Sequence, residues 1–127
     1  MDEKLYEIRY SREHIWVQRL ESTVLIGFAE FALEALGEIV ALELPRTGDQ
    51  VKEGQSIGVI ESAKTVSDLY SPIDGEILRI NDRLANTLDQ RALRDKEWLI
   101  EIRMQQPKQW ETLLTAEQYL EWLKGES

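Results

Sequence analysis

Ser56-Ile57-Gly58-Val59-Ile60-Glu61-Ser62-Ala63-Lys64-Thr65-Val66-Ser67-Asp68-Leu69-Tyr70-Ser71-Pro72-Ile73-Asp74-Gly75-Glu76-Ile77-Leu78-Arg79-Ile80 alternates strand chemistry with turn chemistry. Residues 56–61 read as one strand, the residues after Thr65 as a second, and Glu76 to Ile80 as a third. Ser71-Pro72 and Asp74-Gly75 mark the bend between the last two. Upstream, Gly48-Asp49 and Gly54 give two more turns. Gly54 lies ten residues before Lys64 and Gly75 eleven after it. A lysine beside small residues, flanked by strands and nearly centred between glycine turns, is expected at the exposed tip of a hairpin.

Outward from this segment the period of two continues, as strands with one buried face require. Tyr6, Ile8 and Tyr10 alternate with Leu5, Glu7 and Arg9. Trp16 and Leu20 flank Gln18, while Ile15 and Val17 face the other way, and Thr23 to Gly27 is a short apolar strand. Val40, Leu42 and Leu44 alternate with Ile39, Ala41 and Glu43. Trp98, Ile100, Ile102 and Met104 oppose Leu99, Glu101 and Arg103. Two segments read as helices. Phe28 to Leu36 is rich in Ala, Leu and Glu, and Gly37 stands where a helix-terminating glycine belongs. After Pro107, Thr115-Ala116-Glu117-Gln118 has the form of a capping box, and Ala116, Tyr119, Leu120 and Leu123 supply one apolar helical face. The pattern predicts a mainly β sandwich or barrel with peripheral helices, the last of them C-terminal. No linker or low-complexity stretch divides residues 1–127, so one domain is expected.

Composition narrows the function. There is no cysteine, which excludes disulfides, thiol nucleophiles and thiolate metal sites. A net charge of −9 disfavours nucleic acid and anionic membrane as partners. Residues 1–5 show neither a basic nor an apolar leader region, and no apolar run approaches the length of a membrane span; a cytoplasmic protein is expected. Gly48, Gly54 and Gly58 lie among strands without a following helix, so no phosphate loop is formed. His14 is the sole histidine, which leaves no histidine triad or multi-histidine metal site, and a structural role is expected of it. Glu30, Glu34 and Glu38 read as a solvated helix face, with an acidic docking stripe as the alternative. Trp110, Tyr119 and Trp122 read as packing residues. No convergent acid, base and nucleophile appears, so neither catalytic residues nor an enzyme are expected.

Lys64 poses a chemical question. A reactive amine needs burial or a neighbouring cation to lower its pKa, and the nearby Glu61 and Asp68 favour the ammonium instead. Schiff-base chemistry is thus disfavoured. A modification site asks only for a protruding lysine on a rigid base, although a lysine in a turn is ordinarily just solvated. The residues themselves sharpen the reading. Residues 61–72, Glu-Ser-Ala-Lys-Thr-Val-Ser-Asp-Leu-Tyr-Ser-Pro, resemble the lipoylation segment of glycine cleavage H proteins, which reads Glu-Ser-Val-Lys-Ala-Ala-Ser-Asp, an apolar residue and Tyr-Ser-Pro. His14-Ile15-Trp16-Val17 resembles that family's His-Glu-Trp-Val. Leu36-Gly37-Glu38-Ile39-Val40, Leu44-Pro45, Gly48-Asp49, Gly75-Glu76, Trp98-Leu99-Ile100 and Thr115-Ala116-Glu117 follow in the family's order. Biotin carriers share the hairpin architecture but set their lysine between methionines, where Ala63 and Thr65 stand here.

The resemblance implies a lipoyl-type barrel-sandwich hybrid, with lipoate joined to Lys64 by an amide and Glu61 assisting recognition by the lipoylating enzyme, a lipoate ligase or lipoyl transferase. It implies a carrier that shuttles an aminomethyl group among a pyridoxal-phosphate glycine decarboxylase, an aminomethyltransferase and dihydrolipoyl dehydrogenase. One segment departs from the family. Where H proteins carry an Asn-containing turn and Pro-Tyr-Gly-x-Gly-Trp, this chain has Leu88 to Trp98, about two residues shorter and without glycine or proline. Without glycine to supply positive φ, the loop is expected to take another path. Loops carry recognition. H-protein-like paralogues serve a heterodisulfide-reductase-like sulfur oxidation system, which is the alternative partner set, and an unmodified interaction module is a third reading.

Overall fold

The computed structural model describes residues 7–94 and 97–126. Tyr6 of the first predicted strand, and Leu5 beside it, lie outside the described residues. Among the described residues, nine strands form two antiparallel sheets. The larger contains β1 (Ile8–Tyr10), β2 (Ile15–Arg19), β3 (Thr23–Phe28), β9 (Ile100–Met104), β8 (Gly75–Ile80) and β5 (Gln50–Val51), in that spatial order. The smaller contains β4 (Ile39–Glu43), β6 (Ser56–Ser62) and β7 (Val66–Tyr70), with β6 central. Ile15, Val17, Val24, Ile26, Ile77, Ile100 and Ile102 from one sheet meet Ile57, Ile60 and Leu69 from the other in one buried cluster, the register step of β6 between Ser56 and Gly58 letting Ile57 join Ile60 on the buried side. This is the expected barrel-sandwich arrangement, mainly β with peripheral helices.

The helices cover the rim. α1 (Glu30–Leu36) stops at Gly37, whose φ of 78° and N–H bond to the Leu33 carbonyl (3.0 Å) end the helix as the glycine predicted. α4 (Ala116–Glu126) begins with the predicted capping box: Thr115 N–H donates to Gln118 Oε1 at 3.0 Å, and Gln118 N–H to Thr115 Oγ1 at 3.2 Å. Trp110, in the 3₁₀ turn Pro107–Thr112, is fully buried in the main core.

Four local expectations are corrected. Phe28, read as the start of the first helix, closes β3 opposite Ile15, and the helix begins at Glu30. In β4 the pairing steps from Ile39↔Ser62 to Ala41↔Glu61, so Val40 is the extra residue of a bulge and is 43% exposed, while Ile39 and Leu42 face the core. A bulge breaks the period of two. In α4, Leu120 is 59% exposed and Ala116 is exposed too; the packed face is Tyr119, Trp122 and Leu123. Its aim is fixed by Tyr119, whose ring stacks on Tyr10 at 4.4 Å and whose hydroxyl meets His14 Nδ1 at 2.8 Å. Finally, the segment after β8 forms two further helices, α2 (Asp82–Thr87) and α3 (Gln90–Arg94). Asn81 caps α2 by accepting the Leu84 N–H at 3.2 Å. Leu88 closes it with φ of 50°, so the chain keeps a positive-φ residue here without a glycine.

Candidate functional site

Lys64 stands at the tip of the β6–β7 hairpin, exposed, as its spacing predicted. The tip is held from within by Ser62, which is buried. Its hydroxyl accepts the N–H groups of Lys64 and Thr65, each at 3.1 Å, and donates to the Thr65 carbonyl at 3.2 Å. One side chain thus satisfies a turn that has no neighbour above it. The Ala63 N–H donates to the Glu38 carbonyl at 3.0 Å, which fastens the tip to the junction of α1 and β4. A Cβ on Gly37 would lie 3.6 Å from Lys64 Cε, so the bare glycine gives the lysine stem a surface to cross.

Glu61 lies on the outer face of β6, exposed, paired with Val66 on one side and Ala41 on the other. Neither it nor Lys64 makes a side-chain ion pair among the described residues. Asp68, the other carboxylate near the lysine in sequence, turns to its own sheet: Ser56 Oγ donates to it at 2.8 Å and Tyr70 Oη at 3.4 Å. The Asp68 charge, chiefly, holds the Tyr70 phenol above its ordinary pKa. Alongside β7 runs a cleft of about 200 Å³ bounded by His14, Phe31, Leu36, Asp68 and Tyr70. His14 is held in place, with its ring 4.7 Å from Phe31 and 5.2 Å from Trp122.

Sequence reading missed two supporting residues, Ser62 and Gln90. The Gln90 carboxamide, at the start of α3, accepts the Ile39 N–H at 2.9 Å and donates to the Ile39 carbonyl at 2.8 Å. The segment that departs from the H-protein pattern is therefore clamped to the strand residue next to Glu38, and through Glu38 to the lysine tip. Only the helix that presents Gln90 reveals this, because nothing local distinguishes it from any other surface glutamine.

Two facing sheets with a single exposed lysine at the hairpin tip define a carrier-type barrel-sandwich hybrid. Comparison with known proteins gives the family. The sequence model described as glycine cleavage H-protein matches residues 8–126. The chain is 40% identical over 119 residues to the glycine cleavage system H protein of Staphylococcus carnosus (strain TM300), covering 92% of this chain and 94% of that one. It is 40% identical over 116 residues to the protein of the same name from Anaeromyxobacter sp. (strain K), covering 89% and 90%. The crystal structure of a glycine cleavage system H protein from Mycobacterium marinum superposes with a TM-score of 0.80 at 28% identity, covering 94% of this chain and 98% of that one. The chain belongs to the glycine cleavage H-protein family.

Proposed function

We propose that residues 1–127 form one cytoplasmic carrier domain, not an enzyme, and that Lys64 bears a lipoyl group in amide linkage. The observation that carries this reading is the tip itself: an exposed primary amine, free of ion pairs among the described residues, on a turn fixed by Ser62 and by the Ala63–Glu38 bond. That fits a group which must be attached by one enzyme and presented to others. When bound, lipoate would supply a cyclic disulfide able to take an aminomethyl group on one sulfur while the other is reduced to a thiol; the protein supplies placement. Ser62 and the Ala63–Glu38 bond keep the attachment point rigid, so the reach of the arm is set by the lysine stem and not by a mobile loop. Glu61, exposed on the strand leading to the tip, offers a fixed carboxylate to the lipoylating enzyme. Acylation removes the lysine charge and leaves the protein more acidic. Tethering raises the effective concentration of the arm at each partner, which we infer to be the glycine decarboxylase, the aminomethyltransferase and dihydrolipoyl dehydrogenase.

Incubation with lipoate, ATP and a lipoate ligase is expected to add one lipoyl mass to the wild-type chain and none to Lys64→Arg, since Arg keeps the charge but cannot be acylated as a primary amine. The lipoylated product should then support glycine decarboxylation with the three partner enzymes. Lipoyl mass on the Arg variant would move the site elsewhere. Complete lipoylation without turnover would detach the carrier from glycine cleavage.

A further inference from the structure

An open groove with an apolar lining lies between α1 and α4. The groove, of about 380 Å³, has Tyr10 and Trp16 in its lining and the exposed Phe31 and Leu120 at its lips. Glu30 and Glu34 stand on its α1 side, and neither carboxylate makes an ion pair or hydrogen bond among the described residues. Phe31 is 42% exposed and Leu120 59%, on different helices but bordering one opening. Exposed apolar lips beside uncompensated carboxylates are complementary to one chemistry: a large apolar side chain with a lysine or arginine next to it, the combination that anchors protein interfaces. A second copy of this chain would bring its own net charge of −9 to the same acidic rim, which opposes self-association.

The groove also has a fixed relation to Lys64. α1 has seven residues, about 10 Å of helix. Its first turn borders the groove, and Gly37, just past its last residue, meets the Lys64 stem. An ordinary interface covers about 800 Å² on each partner, a patch of roughly 16 Å radius. Any enzyme centred on Lys64 with such a footprint reaches the groove. We propose that the α1–α4 groove is the docking surface for the enzyme that acylates Lys64, which seats an apolar side chain and an adjoining cation there. This inference rests on the carrier reading and specifies how the lysine is recognised.

The test is steady-state kinetics of lipoate ligase with the full chain as varied substrate, read by intact mass. Phe31→Ser/Leu120→Ser and Glu30→Lys/Glu34→Lys are expected to raise KM for the carrier at least about tenfold each, the effect of losing one anchor. The rate at saturating carrier should stay near wild type, as it does when binding alone is weakened. The charge-reversed variant should also lose most of the salt dependence of kcat/KM. All four positions are solvent-exposed, and thermal melts matching wild type will show that the fold is kept. Wild-type KM in both variants overturns the groove while leaving the lipoylation of Lys64 intact. A wild-type dimer that Phe31→Ser/Leu120→Ser dissociates also overturns it, by assigning the groove to a second copy. A wild-type chain that takes no lipoyl group overturns both this proposal and the carrier reading.

Discussion

The two ends of β7 are made from similar residues and put to opposite use. At one end residues 63–68 are exposed without interruption, and at the other residues 71–75 are all buried. Both ends are turns, and both are held by a hydroxyl or a carboxylate. At the Lys64 end one serine satisfies the turn internally, and a single backbone bond to Glu38 reaches the rest of the protein. At the far end Ser71 Oγ donates to the Ile73 carbonyl at 2.7 Å, the Ser71 carbonyl accepts the Gly54 N–H at 2.9 Å, and the Ser71 N–H donates to the Gln55 carbonyl at 2.9 Å. Asp74 there accepts the Glu53 N–H at 2.8 Å and the Gln106 amide at 3.2 Å. Buried polar groups are tolerated only when paired, so the far end must be fully networked. An exposed tip has water as its default partner and needs only enough order to aim one side chain. The hairpin is thus anchored where it is buried and economical where it is displayed.

The largest expected difference comes from adding one heavy atom at each end. A Cβ on Gly75 would lie 2.3 Å from the Arg103 carbonyl oxygen and 2.5 Å from Ile102 Cγ2, both within the neighbouring strand β9. Backbone cannot step aside cheaply, so Gly75→Ala should cost about 3 kcal/mol or more, the upper range for overpacking. Ala63→Ser, at the exposed tip, should stay within about 0.5 kcal/mol. Urea unfolding of the two variants measures both. Similar losses at the two ends would abolish the distinction between anchor and display.

A smaller effect tests whether the tip is aimed or merely present. Ser62→Ala removes the acceptor of two N–H groups, which should cost about 1 kcal/mol because water can partly replace it at this edge. Amide exchange at residues 63–66 should quicken, and the lipoylation rate should fall although the Lys64 amine is intact. Unchanged exchange would show that the β6–β7 pairing alone orders the tip.

How much of this was legible follows from where the information sits. The hairpin, Lys64 and the stop at Gly37 were readable because alternation and turn residues act over a few positions. So was the Thr115–Gln118 cap. Val40 was misplaced because a bulge inserts one residue without a local mark, and Leu120 because Tyr10 and His14, distant in sequence, set the rotation of α4. Asn81 before Asp82-Arg83-Leu84 was a cap that could have announced α2. The Gln90 clamp and the α1–α4 groove arise only from packing between distant segments, and no window of sequence contains them.

The smallest expected signal is a pH slope at the anchored end. The Asp74 carboxyl is held below its ordinary pKa, first by the Glu53 N–H, then with help from Gln109, Lys52 and Gln106, against the opposing effect of its own burial. A depressed folded pKa means that the unfolded chain binds the proton more readily than the folded one. Asp74 therefore stabilises the fold above the unfolded value of about 3.9, and that stabilisation is lost as pH falls through the lower folded value. Other carboxylates titrate in the same range, so the informative quantity is a difference. Asp74→Asn keeps an oxygen for the Glu53 N–H and has no charge to lose. Urea midpoints of wild type and variant should differ most near neutrality and converge on acidification, beginning near pH 4 and continuing below it. A difference that stays constant down to about pH 2 would show that the folded state does not favour the ionised carboxyl. The anchored end would then rest on Ser71 and on the close fit of Gly75 against β9, and its contrast with the Lys64 tip would be one of packing and not of charge.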